Sequence, residues 1–265
     1  MKPLHLSTLL LPLAALCAVA CTQPKTAFVL HGYVPGAMDS TKVDLRSEDR
    51  SIRLSGYVVN GEFELTGEAP VAAYCRLSLN NIDAAQSKGL QSDDDIRYVE
   101  AAIFVENGNL VFRTPHIDSM PQSFWKYDIR KEKNYTLKGS ASHDVYAAYA
   151  LKTLDLRADI RQLEWAVREK ATPEMLKTLA GKKQELRAII REYIASQKSL
   201  PVNLYLAQAL EMEPFTYDRA YLDGVTALFA SYQDTLPALL KFRESYKKAA
   251  AYTQGTPFAG GKVCT

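Results

Sequence analysis

"RLSGYVVNGEFELTGEA", Arg53 to Ala69, decides how the first half of this chain is interpreted. Two runs of strand-forming residues meet at Asn60-Gly61. Both residues tolerate the positive φ angles that a type I′ turn requires, and Asn-Gly between such runs is the strongest short signal for a β-hairpin. We therefore predict two strands joined by a tight turn.

Similar short segments continue from this stretch in both directions, from Phe28 to about Leu137. A second turn signal, Asn107-Gly108-Asn109, separates two of them and predicts a second hairpin. The segments read AFVLHGYV, TKVDLRS, AAYCRLSL, EAAIFVE, LVFRTPHI and NYTLKGS. About six to eight short strands with such turns indicate an antiparallel β-sandwich-like domain or an open barrel, which we assign to residues 28–138.

Helical periodicity replaces this pattern after Ser140. Apolar residues recur at helical spacing and predict one stripe of a long helix: Val145, Tyr149, Leu156, Ile160, Leu163 and Val167. Thr172-Pro173-Glu174 then restarts the chain with an N-cap and a proline at the first helical position, so we expect an antiparallel helical hairpin. Three more helical segments follow. The fold class is therefore α+β, with an all-α helical domain over residues 139–252 and a flexible tail over residues 253–265.

The first residues resemble an export signal. Residues 1–20 carry Lys2 and then an uncharged apolar run, a pattern that is typical of a signal peptide and too short for a comfortable transmembrane helix. Small residues stand directly before Cys21, which predicts a bacterial lipoprotein in which Cys21 is acylated and begins the mature chain. Residues 21–27 would then link the anchor to the first domain. An ordinary secretory signal cut near Ala20 is the alternative.

Composition restricts the function further. With 32 basic and 30 acidic residues, the chain has no electrostatic footprint for nucleic acid. Of the cysteines beyond the lipid site, Cys75 and Cys264 remain. In an oxidising compartment they could form a disulfide. The alternative is an inert, buried Cys75 and an exposed, free Cys264, and the sequence leaves this choice open.

The order of these segments resembles the domain of unknown function DUF4369, found at the N-terminus of envelope proteins from Bacteroidetes. The similarity is carried by Phe28 and Gly32, by the NGEFELTGEAP and FVENGNLVF turns, and by LKGS before the first long helix; it covers roughly residues 28–150. In common relatives the domain precedes a thioredoxin-like domain of the TlpA type, with a Trp-Cys-x-x-Cys site. This chain ends soon after Gly255 without that motif, so the resemblance assigns no catalytic residue.

The same resemblance implies a location in the cell envelope. In lipoproteins of these bacteria an acidic run after the lipidated cysteine marks export to the cell surface. The residues after Cys21 are TQPKTA and contain no such run. We therefore expect a membrane-anchored lipoprotein of the outer membrane that faces the periplasm.

An aromatic segment, SFWKY, is the candidate ligand-binding feature. Phe124, Trp125 and Tyr127 lie beside a basic residue and could stack on a sugar or a peptide, although the same residues could simply pack a loop onto the sheet. No motif for a metal, a cofactor or a familiar catalytic site is present. We therefore predict a non-enzymatic binding or scaffolding protein whose partner is another envelope protein. The alternatives are an accessory role in thiol-disulfide exchange through Cys264, or a sugar- or peptide-binding module.

Overall fold

The computed structural model describes residues 26–90, 92, 95–123, 126–196, 199–211, 219–232 and 237–253. Eight strands and seven α-helices occupy these residues, which confirms a mixed α+β fold. The strands are β1 Phe28–Tyr33, β2 Lys42–Ser47, β3 Arg53–Tyr57, β4 Glu62–Gly67, β5 Ala73–Asn80, β6 Tyr98–Val105, β7 Asn109–Arg113 and β8 Thr136–Lys138. The helices are α1 Ile82–Ser87, α2 Ala141–Lys152, α3 Leu154–Glu169, α4 Pro173–Ala195, α5 Leu200–Glu211, α6 Arg219–Ala227 and α7 Pro237–Thr253.

The strands form two four-stranded sheets. The first sheet has the order β4-β1-β7-β8 and the second the order β3-β2-β5-β6. Neighbouring strands are antiparallel except β1 and β7, which are parallel. The prediction of an antiparallel arrangement is therefore wrong for this pair. Parallel neighbours need a long connection between them, and here that connection includes the whole of the second sheet.

The turn at Asn60-Gly61 has the predicted geometry but joins two sheets. Asn60 and Gly61 have φ angles of 54° and 77°, and Val59 and Glu62 exchange backbone hydrogen bonds of 2.8 and 3.0 Å across the turn. Beyond this bridge the strands separate, since β3 pairs with β2 and β4 pairs with β1. The predicted hairpin is thus wrong as a strand pair. A tight turn sets only the local direction of the chain, whereas pairing depends on which faces are buried.

The second predicted hairpin is corrected in the same way. β6 precedes Asn107-Gly108-Asn109 and belongs to the second sheet, whereas β7 follows it and belongs to the first. Val29 donates a backbone hydrogen bond of 2.9 Å to Gly108, so the chain pairs with β1 as soon as it leaves the turn. Both turns therefore carry the chain from one sheet to the other.

Alternating side chains from both sheets meet in a first apolar group, which we call the inter-sheet cluster. In β1 every second residue is buried, beginning with Phe28. Most of the cluster has no exposed surface, including Phe28, Leu30, Val43, Leu45, Cys75, Leu77, Leu110 and Phe112. Burial of this size is the main apolar contribution to stability in a domain of this length.

The long helix predicted from Val145 to Val167 is interrupted. α2 ends at Lys152 and α3 begins at Leu154, with Thr153 between them at φ −99° and ψ 3°. The Thr153 hydroxyl donates a 2.8 Å hydrogen bond to the carbonyl of Tyr149. A threonine that bonds back to the preceding turn in this way commonly bends a helix, which explains the break. The helix start at Thr172-Pro173 is confirmed, because Thr172 accepts a hydrogen bond from the Met175 amide.

The helices pack on the second sheet through another apolar group, the sheet–helix cluster. It combines Ala102 and Phe104 from the outer face of β6 with residues of α2, α4, α5, α6 and α7. Tyr74 of β5 stacks on Tyr205 of α5, with ring centroids 4.1 Å apart. No helix among the described residues is both long and apolar enough to cross a membrane.

Candidate functional site

A cavity of about 360 Å³ lies beside the sheet–helix cluster. Its walls come from the outer face of β5 and β6, from the connection between β7 and β8, and from α3. The polar and aromatic residues that line it are Tyr74, Arg76, Glu100, Ser123, Tyr127, Glu132 and Arg161. We refer to this space as the cleft.

The cleft begins where the helices stop covering the second sheet. Successive outward residues of β5 are Tyr74 and Arg76, and those of β6 are Phe104, Ala102 and Glu100. At one end Tyr74 and Phe104 are covered by Tyr146 and Tyr205, whose rings lie 4.1 to 5.9 Å from theirs. At the other end Arg76 and Glu100 face the cleft. The change from aromatic to charged side chains along each strand therefore marks its edge.

Residues 121–123 and 126–135 form another wall and are bonded to β6 at several points. The Glu100 amide donates to the carbonyl of Pro121 at 2.9 Å, and the Ser123 amide donates to the carbonyl of Tyr98 at 2.7 Å. Further along, the Tyr135 hydroxyl lies 3.1 Å from the amide and 3.3 Å from the carbonyl of Ala102. Because β6 is an edge strand, these bonds also satisfy backbone groups that would otherwise be open to another chain.

A buried ion pair fixes this wall to α3. Arg157 donates to Glu132 at 2.7 Å, and their side chains are only 15% and 8% exposed. Tyr127 donates to the other oxygen of Glu132, also at 2.7 Å. Arg157 makes two more bonds, to the carbonyl of Ala150 at 2.9 Å and to the hydroxyl of Thr153 at 3.0 Å. The Thr153 hydroxyl that bends the helix thus also helps to hold this arginine.

The protonation states follow from this geometry. Burial, and then the neighbouring Glu132 carboxylate, raise the pKa of Tyr127 well above its usual range, so its hydroxyl stays a donor. Burial disfavours a charged guanidinium, but the attraction of Glu132 outweighs it and raises the pKa of Arg157. Glu132 thus accepts hydrogen bonds from two donors that keep their hydrogens, Tyr127 and Arg157.

A second, more open pair lies on the sheet side. Glu100 accepts a 2.8 Å hydrogen bond from the buried hydroxyl of Ser123. Arg76 lies 3.8 Å from the other oxygen of Glu100, and 62% of the Arg76 side chain is exposed. Across the cleft, the guanidinium of Arg161 is 5.1 Å from the ring centre of Tyr127. The cleft thus carries the guanidinium groups of Arg76 and Arg161, and its carboxylates already accept bonds from the protein. This arrangement suits recognition of an acceptor group better than proton transfer.

The structure locates part of the predicted binding segment. Tyr127 lines the cleft beside Ser123. Phe124 and Trp125, which lie between these two residues in sequence, are outside the described residues, as are Cys21 and Cys264. Sequence reasoning missed Arg76, Glu100, Glu132, Arg157 and Arg161. The one signal that could have found some of them is the alternation of β5 and β6, which points Arg76 and Glu100 to the same outer face.

Cys75 faces away from this site. It lies in the inter-sheet cluster with no exposed surface. Burial, followed by the charge of Asp49, raises the pKa of its thiol to about 12. A thiol with so little thiolate is unreactive at neutral pH. A bond to Cys264 would require the tail to reach between the two sheets, and this disulfide stays a prediction.

Within the described residues, the histidines do not form a metal site with other ligands. No group of three or more His, Cys, Asp or Glu side chains within the described part of the chain could hold a metal ion. His143 is buried against β6 and its Nδ1 accepts a 3.3 Å hydrogen bond from the Phe104 amide. Burial lowers the pKa of His143 to about 4, so it is neutral in this position.

Comparisons of this chain with protein-family models, with curated proteins and with solved structures found no match.

Proposed function

We propose that this protein is a lipid-anchored cell-envelope protein with a non-catalytic binding or scaffolding role, exercised through the cleft. The observation that carries the proposal is that the carboxylates of the cleft already accept hydrogen bonds from the protein. Glu132 is shared by Tyr127 and Arg157, and Glu100 is held by Ser123. Side chains held in this way are prepared to recognise a ligand rather than to transform it.

The hydrogen bonds of this wall support the same proposal. Its described residues, 121–123 and 126–135, are bonded to β6 at both ends and to α3 through Glu132. Groups that are already held by such bonds lose little conformational entropy on binding, so more of the contact energy appears as affinity. A small-molecule group or a partner side chain of modest size fits a cavity of about 360 Å³.

The membrane attachment is part of the proposal and rests on the sequence. Cys21 would be the acylated residue, and the protein would face the periplasm from the outer membrane. β1 begins at Phe28, so the linker of residues 21–27 could extend at most roughly 25 Å. The sheets would then work close to the membrane surface. A relationship to proteins that contain a DUF4369 domain is proposed on the same sequence grounds.

We also propose a finer division of the fold. We take the chain to be a β-sandwich-like unit followed by an all-helical unit. The order of the elements supports this, since β8 ends at Lys138 and α2 begins at Ala141. The short helix α1 lies within the first unit, however, and the sheet–helix cluster joins the two units through Ala102 and Phe104. We therefore expect them to unfold together.

Affinity capture from membranes tests the binding role. We would compare the wild-type protein with Arg161→Glu, which reverses a charge in the cleft, and with Arg168→Glu, which makes the same change farther along α3. A partner that is lost from the first variant and kept by the second would support the cleft. Equal capture by both variants would argue against it. Chemical conversion of a captured small molecule by the purified protein would contradict the non-catalytic role.

The redox alternative has a separate test. Mixed disulfides would be trapped in cells that produce the wild-type protein or Cys264→Ser. A specific adduct that disappears in the variant would favour thiol-disulfide exchange. The burial of Cys75 makes it a poor partner for such exchange, so an adduct should depend on Cys264 alone.

A further inference from the structure

Three arginines lie side by side on the outer face of the second sheet. Arg46 of β2 is opposite Arg53 of β3 on one side and Arg76 of β5 on the other. Residues that are directly opposite in antiparallel strands share a face, so the three side chains form one row across the sheet. We call Arg53, Arg46 and Arg76 the arginine row. Arg76, at one end of this row, also lines the cleft.

The arginine row is poorly compensated by the protein. Like charges directly opposite each other in a sheet are destabilising. Arg46 lies 3.5 Å from Asp44 and Arg76 lies 3.8 Å from Glu100, distances too long for good hydrogen bonds. More than half of each of these two arginine side chains is exposed, and Arg53 is exposed as well. No ion pair involves Arg53 within the described residues.

The next row of the same face has the opposite chemistry. Asp44 and Glu100 belong to it, and Ser55 and Ser78 lie in register with Asp44 on the flanking strands. The Ser55 hydroxyl donates to Asp44 at 2.5 Å, and the Asp44 and Glu100 side chains are 14% and 12% exposed. Donors that carry positive charge thus lie beside acceptors that carry negative charge.

We propose that the arginine row binds a linear acidic oligosaccharide, a sugar chain that carries carboxylate groups on successive units. Neighbouring strands are about 4.8 Å apart, so successive guanidinium groups present donors at short, regular intervals along a line. A planar guanidinium pairs with a carboxylate through two parallel hydrogen bonds. The sugar hydroxyls would donate to Asp44 and Glu100, and the end of the chain would enter the cleft beside Arg76. This inference rests on the binding role proposed above and names the ligand class.

The mixed chemistry of the face favours a sugar over other anions. A phosphate or sulfate group offers only hydrogen-bond acceptors. It therefore has no hydrogen to donate to the carboxylates of Asp44 and Glu100. A flat bilayer would have to reach Arg76 at the margin of the cleft, beside the wall formed by residues 121–135. An extended acidic peptide would be expected to pair first with an open strand edge, through its backbone groups.

Isothermal titration calorimetry of the purified full chain with trigalacturonate tests the proposal. The wild-type protein should bind it. The double variant Arg46→Gln, Arg53→Gln should bind at least about tenfold more weakly, because it loses two charge-assisted hydrogen-bonding groups. Arg46→Lys, which keeps the charge but not the planar fork, should lose less. Arg113→Gln, an exposed arginine on β7 of the first sheet, is the matched control and should bind like the wild type.

Three further ligands test whether binding requires an acidic sugar chain. Maltotriose has the same number of sugar units without carboxylates and should bind at least about tenfold more weakly. Tighter binding of triglutamate or of phosphatidylglycerol vesicles than of trigalacturonate would overturn the proposal in favour of a peptide or a membrane. Absence of trigalacturonate binding, or unchanged binding by a double variant with unaltered thermal unfolding, would also overturn it. If capture of a partner from membranes still depends on Arg161, the binding role of the cleft stands and only the acidic-oligosaccharide class of ligand is wrong.

Discussion

Between the two sheets the buried side chains are aliphatic residues and phenylalanines with few polar atoms, whereas tyrosines dominate the contact between the second sheet and the helices. The inter-sheet cluster includes Tyr135 as its one tyrosine. In the sheet–helix cluster Tyr74, Tyr146 and Tyr205 pack against one another and against Phe104, and Tyr149 packs against Tyr146. Each buried tyrosine hydroxyl needs a hydrogen-bond partner. The side-chain positions in the sheet–helix cluster are therefore more restricted than those in the inter-sheet cluster.

This difference explains where the cleft is found. Most side chains of the inter-sheet cluster have no exposed surface, and nearly all of them need only apolar contact. Beside the sheet–helix cluster, at the cleft, lie two charged pairs: Glu132 with Arg157, and Glu100 with Arg76. A boundary between apolar and paired polar groups is a common setting for a ligand site. We therefore expect substitutions in the inter-sheet cluster to lower stability mainly through lost side-chain volume. On the sheet–helix side we expect stability to depend mainly on the loss of a charged group or on pH.

The largest effect should come from the inter-sheet cluster. Phe112 has no exposed surface and its ring contacts those of Phe63 and Tyr135. Phe112→Ala should lower the free energy of unfolding by about 3–5 kcal/mol, through lost apolar contact and the cavity that remains. Urea denaturation measures this change. Phe112→Leu should cost much less, and a similar loss for both variants would contradict a volume effect.

The buried ion pair should have the next largest effect. Glu132→Leu leaves the Arg157 charge without its partner and should cost about 3 kcal/mol. Replacing both residues, with Glu132→Leu and Arg157→Met, should recover a large part of that loss, since the uncompensated charge is gone. A double-mutant cycle measured by denaturant unfolding separates the two outcomes. Strictly additive losses would show that the two side chains are not coupled.

Stability should depend on pH through His143. Burial lowers its pKa to about 4, whereas an unfolded histidine titrates near 6.5. Between these values the unfolded chain binds the extra proton, so stability is lost as the pH falls from about 6.5 to 4 and this contribution does not grow below pH 4. The loss should be on the order of 3 kcal/mol. His143→Gln should flatten this part of the curve of unfolding free energy against pH. An unchanged slope would mean that His143 is already charged in the native protein.

The smallest expected effect concerns the chemical reactivity of Cys75, which reports whether the inter-sheet cluster opens in the native protein. In a Cys264→Ser variant, Cys75 should react with a maleimide only when the protein is unfolded, because it is buried and its pKa is raised to about 12. Mass spectrometry before and after addition of guanidinium measures the modification. Rapid modification of the native protein would show that the two sheets separate easily.

Several elements could be predicted from local sequence. The short segment AFVLHGYV predicted β1, and Thr172-Pro173 predicted the start of α4. These patterns depend on residues that are near one another in the chain. The partners of the strands could not be predicted in this way. Asn60-Gly61 forms the expected turn, yet β3 and β4 join different sheets, because each strand pairs where its apolar face can be buried.

The cleft could be predicted only in part for the same reason. Tyr127 was expected from the SFWKY segment, but its partners Glu132, Arg157 and Arg161 come from the connection and from α3. Arg76 and Glu100 come from two different strands. No spacing rule brings such distant positions together. Only α3, lying against residues 121–135, places Arg157 within 2.7 Å of Glu132.

By itself the sequence determined the α+β class, the positions of the strands and most helices, and the two tight turns, because periodicity and turn chemistry act over a few residues. It also led us to expect an export signal, a lipid anchor at Cys21 and a role in binding. The tertiary structure alone decided that both turns cross between sheets, that β1 and β7 run parallel, and that three arginines form one row. Those features depend on strand register and on the burial of whole faces, which are long-range consequences of packing.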